Sequence, residues 1–240
     1  MQELKDKVVV ITGGSVGFGK ETANQFYNAG AKVVITGTNE ERLLRAQSEI
    51  GQIDIMVSDV TAPGDWEKLH QLVMEKHHRI DILVNNAGGG VTVKETVEQT
   101  IEDIDRIISL NLSGVVYGSR IFGKTMKEQK LGTIVNISSV CAYEAWPNLS
   151  VYAAAKAGVV ALSKGLYVEL RPYNVRVTAV SPGAGSTHFS KNAGIPEPPV
   201  PYKLEPIDMA EAVLHICRMP QHIFIEEYRI WGTDQEIIPL

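Results

Sequence analysis

Tyr152 and Lys156 stand four residues apart in the run VYAAAKAGV (151–159), with only alanines between them. Alanine is the strongest helix former, and residues i and i+4 of a helix share one face. The spacing predicts a phenol beside an ammonium on a nearly bare helix face. A free tyrosine titrates near ~10, too high for proton exchange near neutrality. A neighbouring ammonium favours the phenolate and lowers that value, toward the range where general acid–base catalysis works best. Tyr and Lys also pair by chance on half-exposed helices, so the surroundings must decide. A second pattern offers different chemistry. Thr12 to Gly19 reads TGGSVGFG, with glycines at 13, 17 and 19 around Ser15 and Phe18. Such glycines let backbone approach a ligand while turning tightly. The helix that follows would present free N–H groups and positive dipole to a pyrophosphate. The spacing is G-x-x-x-G-x-G rather than G-x-G-x-x-G, but it follows an apolar run, where a dinucleotide fold needs it.

The elements that must hold these residues alternate along the chain. KVVVIT (7–12), AKVVIT (31–36), IDIMVS (53–58), IDILVN (80–85), GTIVNIS (132–138) and VRVTAV (175–180) read as strands. Their β-branched, nearly continuous apolarity suits parallel strands covered on both faces. Segments of helical period lie between them, at about 18–29, 39–49, 64–78, 100–129 and 152–171, with a last helix at 207–218 and a strand at 222–230. This alternation predicts right-handed βαβ units and an α/β fold, a doubly wound parallel sheet with helices on both faces. Residues 181–206 carry six prolines and should hold neither a long helix nor a central strand. That loop follows the sixth strand and belongs at the strand carboxyl ends, where such sheets bind ligands.

Composition narrows the classes. The 240 residues suit one large domain or two small ones, with 44% hydrophobic and 21% charged residues. A net charge of −5 without a basic block argues against a nucleic-acid surface. No apolar run approaches the ~20 residues of a membrane span, and MQELKDKVVV lacks a signal-peptide layout. Two cysteines, Cys141 and Cys217, fit a reducing cytoplasm better than a disulfide framework. The six histidines are scattered, and no cluster has metal-ligand spacing.

Four motifs in order now point one way: T-G-x-x-x-G-x-G after the first strand, Asn85-Asn86-Ala87-Gly88 after the fourth, Ser139 after the fifth, and Tyr152-x-x-x-Lys156 thirteen residues later. From about residue 5 to 230 the chain resembles the short-chain dehydrogenase/reductases. The resemblance implies a single Rossmann domain over 1–240 with a seven-stranded parallel sheet and a substrate loop at about 183–206. It implies Tyr152 as general acid/base, Lys156 as its partner and a ligand of the nicotinamide ribose, Ser139 orienting the substrate oxygen, and Asn111 opening its helix. Asparagine is a poor helix-interior residue, which fits a local distortion there. The glycine turn, with Gly13, Ser15, Gly17, Phe18 and Gly19, would hold the cofactor phosphates. Asp59 and Val60 match the adenine-reading pair, with a helix cap as the competing role for Asp59. Asn86, Ala87 and Gly88 would line the adenosine-ribose side, and Pro182, Gly183 and Thr187 the carboxamide, although Ala184-Gly185-Ser186 precedes that threonine. Ser138 is read as a turn residue bonded to backbone, Cys141 and Trp66 as packing residues, and His188 as a loop residue.

The expected activity is interconversion of a carbonyl and a secondary alcohol on a small-molecule substrate. Alternatives are an NAD-dependent alcohol or hydroxysteroid dehydrogenase, a 3-oxoacyl reductase, or a catalytically silent cofactor-binding regulator. An acidic residue at the end of strand two would select NAD. Gly37 stands there, followed by Thr38 and Asn39. NADP(H) is therefore favoured, with NAD(H) as the alternative, since neither Val16 nor Thr38 is basic. Val159, Leu162, Leu166 and Leu170 recur at helical spacing and suggest a homo-oligomer, a tetramer before a dimer.

Overall fold

The computed structural model describes residues 2–186 and 203–235. Seven strands, β1 (Val8–Thr12), β2 (Lys32–Gly37), β3 (Asp54–Val57), β4 (Ile82–Asn85), β5 (Gly132–Ile137), β6 (Val175–Pro182) and β7 (Glu227–Ile230), form one sheet. Their order is β3-β2-β1-β4-β5-β6-β7, and every pairing is parallel. The chain winds outward from β1 in one direction, then restarts at β4 on the other side. The crevice of such a sheet opens where the order reverses, outside the carboxyl ends of β1 and β4.

The helices are α1 (Gly17–Asn28), α2 (Glu40–Ile50), α3 (Pro63–His77), α4 (Ile101–Ile108), α5 (Gly114–Gln129), α6 (Ser150–Leu170) and α7 (Pro206–Arg218). Successive strand residues face opposite sides, so β1 feeds two cores. Val9 and Ile11 join Phe26 of α1, Leu43 of α2 and Val213 of α7. Val8 and Val10 join Trp66 and Leu69 of α3 and Phe122 and Met126 of α5. Coverage on both faces is the reason the strand sequences are almost wholly apolar.

A buried polar chain crosses the second face. Asn85 Nδ2 donates to Asn136 Oδ1 at 2.8 Å and to Ser119 Oγ at 3.2 Å. Asn136 Nδ2 donates to Ser163 Oγ at 2.9 Å, and that hydroxyl donates to Val159 O at 2.7 Å. Unpaired polar groups at such depth would be costly, so the chain fixes β4, β5, α5 and α6 relative to one another.

Four expectations are corrected. The segment 100–129 is not one α-helix: a π-helical turn, Ser109–Ser113, separates α4 from α5. Ser181 and Pro182 belong to β6, paired with Arg229 and Ile230; a proline fits there because it is the last residue of the strand and its missing N–H interrupts no ladder. The closing strand covers only Glu227–Ile230, and its register on Ala179–Pro182 accounts for that length. Val159 and Leu170 are buried in the chain's own core, leaving α6 to expose Ala154, Ala157, Ala161, Gly165 and Val168 instead.

Candidate active site

The glycine turn is built against the end of β4. Thr12 Oγ1 accepts the N–H groups of Asn86 and Ala87, each at 3.0 Å. Asn86 Nδ2 donates back to Thr12 O at 2.9 Å and Gly13 O at 3.2 Å. Gly13 and Gly17 take φ of 64° and 55°, the left-handed region that glycine enters without strain. A Cβ on Gly19 would collide with Gly13 O and Asn86 Nδ2. The glycine turn and the ends of β1 and β4 therefore meet closely, bridged by the Asn86 side chain. Helix α1 starts at Gly17 with no side-chain cap and no acid in its first turn, so its leading amides and dipole remain suited to an anion. Ser15 and Phe18 sit half-buried in the same turn.

Gly37 ends β2, and a Cβ there would lie 3.3 Å from Ser15 Oγ. Thr38 and Asn39 are exposed beside it. Asn39 is already engaged as the cap of α2, its Oδ1 accepting Arg42 N at 2.8 Å, and Glu40 and Glu41 occupy the first turn. Asp59 is exposed and Val60 buried. Asp59 does not cap α3, whose N-cap is Ala62; its Oδ1 instead accepts Thr61 N and Thr61 Oγ1, each at 2.8 Å. This turn closes locally because the carboxylate meets an amide two residues on.

On the other side of β4 lies the cluster expected to carry the chemistry. Tyr152 and Lys156 share one face of α6, with the Lys156 ammonium 5.7 Å from the phenol ring centre. Lys156 Nζ donates to Ile137 O at 3.0 Å. Tyr152 is hydrogen-bonded to Ser139, whose Oγ also accepts Cys141 N at 3.1 Å. Ser138 Oγ donates to Lys156 O at 2.8 Å: it anchors α6 and points away from the role of Ser139. Asn111 is fully buried within the π turn. Its Nδ2 donates to Ile107 O at 2.9 Å and to Gly89 O at 2.8 Å. Its Oδ1 accepts Gly89 N at 3.0 Å. A Cβ on Gly88 would sit 3.1 Å from Asn111 Oδ1 and 3.3 Å from Lys156 Nζ. Gly88, Asn111, Lys156, Tyr152 and Ser139 are thus brought together from the ends of β4 and β5, the π turn and the first turns of α6.

Burial sets the electrostatics. It pulls Lys156 down to about 8, partly opposed by Cys141. It pushes Tyr152 well above the ordinary phenol range, with Cys141 adding to the rise and Ser139 pulling back. The expected lowering of Tyr152 by its lysine is therefore reversed here: desolvation of the phenolate is the largest influence on the group and drives it upward. The Cys141 thiol is raised by burial too, which suits packing rather than nucleophilic attack.

Beyond Pro182, Gly183 N donates to Ile230 O at 2.8 Å. Thr187 and His188 lie outside the described residues. On the opposite wall the 141–148 stretch, read from the sequence as pocket wall for its aromatics, meets β7, a pairing the sequence did not show. Tyr143, half-buried, carries the Arg229 guanidinium 3.7 Å above its ring. Glu227 Oε1 accepts Arg229 Nε at 3.0 Å and Ser181 Oγ at 3.3 Å. Burial, then Glu227, pushes the Tyr143 phenol up to about 12. Trp146 and Trp231 approach with ring centres 6.4 Å apart. Alternation along β7, with Glu227 and Arg229 on one side, was a local signal for that pairing. Trp66 is core, its Nε1 donating to Val60 O at 2.9 Å. Among the described residues no group of three or more metal-ligating side chains occurs, and no helix is long and apolar enough to cross a membrane.

Comparison with known proteins agrees with this geometry. The family model for short chain dehydrogenases matches residues 7–197. An uncharacterized oxidoreductase of Staphylococcus saprophyticus is 35% identical over 235 residues, covering 96% of this chain and 99% of that protein. A serine dehydrogenase solved with NADP+ superposes with a TM-score of 0.90 at 31% identity, over 97% of this chain and 98% of that one. A 3-ketoacyl-(acyl-carrier-protein) reductase from Brucella melitensis solved with NADH gives 0.87 at 32% identity, over 96% and 99%.

Proposed function

The chain is an oxidoreductase of the short-chain dehydrogenase family, and from that premise we propose that it interconverts a carbonyl and a secondary alcohol with NADP(H), using Tyr152 as general acid/base. The observation that carries the reading is the meeting of Tyr152, Ser139, Lys156 and Asn111 at the Gly88–Gly89 loop. The cofactor fits a cradle that side chains would fill, at Gly13 and Gly19, over the uncapped start of α1. Asp59 and Val60 would take the adenine, Asn86 to Gly88 the adjoining ribose, Lys156 the nicotinamide ribose, and Pro182 and Gly183 the carboxamide. Bound there, the nicotinamide supplies or accepts hydride.

The rest is work for this chain's own residues. Ser139 hydrogen-bonds the substrate oxygen and holds it beside the Tyr152 hydroxyl. Tyr152 gives its proton to that oxygen in reduction and takes it back in oxidation. Burial keeps the Tyr152 phenol protonated at rest, so the proton used in reduction is in place before the substrate arrives. The Lys156 ammonium stabilises the phenolate left behind. Asn111 holds the Gly89 backbone and with it the loop beside the lysine. The chain works as one dinucleotide-binding catalytic domain, and the small-residue face of α6 supports a homotetramer. NAD(H) is the second reading for the cofactor, favoured by Glu40, Glu41 and the committed Asn39 cap.

The test is Tyr152→Phe. Turnover on a panel of ketones should fall by at least ~10²-fold, the usual scale for a positioned acid–base group, while cofactor binding persists. Near-normal turnover would sink the mechanism; cofactor binding by the parent without turnover on any ketone would favour a silent regulator.

A further inference from the structure

The backbone just beyond β6 is held on both edges. Ala184 N donates to Gln235 Oε1 at 2.6 Å, across 51 residues. Ala184 O accepts Leu204 N at 3.1 Å, and Ser186 N donates to Leu204 O at 2.8 Å. Gly183 is covered from the same direction as Ala184: a Cβ there would run into Gln235 Oε1 and lie 3.3 Å from Trp231 Cε3. Gln235 is itself held by a turn, its N–H donating to Gly232 O at 3.0 Å. The residues after β7 thus reach back over the end of β6, and the glutamine side chain occupies the space that glycine leaves at 183.

We propose that Gln235 is a positioning residue for the cofactor: it fixes the Gly183–Ala184 backbone in the orientation that meets the carboxamide end of the nicotinamide. The inference rests on the functional reading above. A glutamine oxygen is used here only as an acceptor, because the group it meets is a backbone N–H. Removing it leaves that N–H without its partner and opens space above Gly183, so the segment gains conformations that binding must then freeze out. Replacing it with glutamate keeps an oxygen at the same reach.

The experiment measures binding of NADPH and of NADH by isothermal titration, with amide hydrogen exchange of the peptide spanning 180–186, for the parent, Gln235→Ala and Gln235→Glu. Gln235→Ala should weaken binding of the preferred cofactor by about threefold to tenfold, the scale of one hydrogen bond. It should speed exchange in 180–186 while the β1 and β4 peptides stay protected. Gln235→Glu should restore both. Unchanged binding in Gln235→Ala overturns the proposal, as does a Gln235→Glu variant as weak as the alanine one. If the parent binds neither cofactor, the functional reading falls and takes this inference with it.

Discussion

Among the described residues Lys156 is a buried cation with no carboxylate in contact, and its cost to the fold can be worked out. Its ammonium meets Ile137 O, and burial lowers its pKa from 10.5 to about 8. Below about 8 the lysine is charged in both the folded and unfolded chain, so the folded state bears the full penalty of burying the charge. Between about 8 and 10.5 the folded chain has lost the proton and the unfolded chain has not. The unfolded state then binds more protons, and stability must rise with pH across that window. At about 1.4 kcal/mol per unit, the penalty lifted is on the order of 3 kcal/mol. Replacing lysine by methionine conserves most of the volume but leaves Ile137 O without its donor, at ~1 kcal/mol or more. Lys156→Met should therefore be more stable than the parent by about 2 kcal/mol at pH 7, and the gain should vanish near pH 10. The assay is urea unfolding of both proteins at matched concentration across pH 7 to 10. A variant less stable than the parent at pH 7, or a difference that does not change with pH, would refute the argument. The same substitution should abolish useful turnover, as expected where a strained site is kept for function.

The remaining predictions concern cofactor choice and assembly. The parent should show a higher kcat/KM with NADPH than with NADH, and Gly37→Asp should reverse the preference by at least ~10-fold, since the carboxylate accepts ribose hydroxyls and repels a 2′-phosphate. The new Cβ lies 3.3 Å from Ser15 Oγ, so that hydroxyl must yield slightly; a parent that strongly prefers NADH shows that the missing acid was the wrong feature to follow. Light scattering at micromolar protein should give a tetramer of the 26.3 kDa chain, and a monomer mass would remove the α6 face as an interface.

Local pattern carried much of this. The β-branched runs marked six strands to within a residue or two, because parallel strands buried on both faces have no polar side to show. Tyr152 and Lys156 were legible from helical spacing together with the motifs before them, and the glycine turn from its place after β1. What escaped depends on partners distant in sequence. Pro182 reads as a strand breaker until Ile230 is seen beside it. Gln235, Arg229 and Tyr143 gain meaning only when β7 folds back next to β6. The direction of the Tyr152 shift was misjudged because neighbours along the helix predict charge, whereas burial is decided by the whole fold.

The π turn at Ser109–Ser113 has a consequence for how this chain can change. An α-helix advances about 100° per residue, and a π turn absorbs one extra residue. The buried side of α5, Val115, Phe122 and Met126, is thereby phased against Ile107 of α4 through Asn111 itself. Losing one residue from the turn would restore a regular helix and leave that row on the sheet, but the wide turn that seats Asn111 against Gly89 would be gone. The sixteen residues of α5 are therefore indifferent to the extra residue, whereas the loop beside the lysine depends on it. Length at this point is as constrained as chemistry: the residue count across 109–113 keeps the wide turn, and the side chain at 111 keeps Gly89 in place.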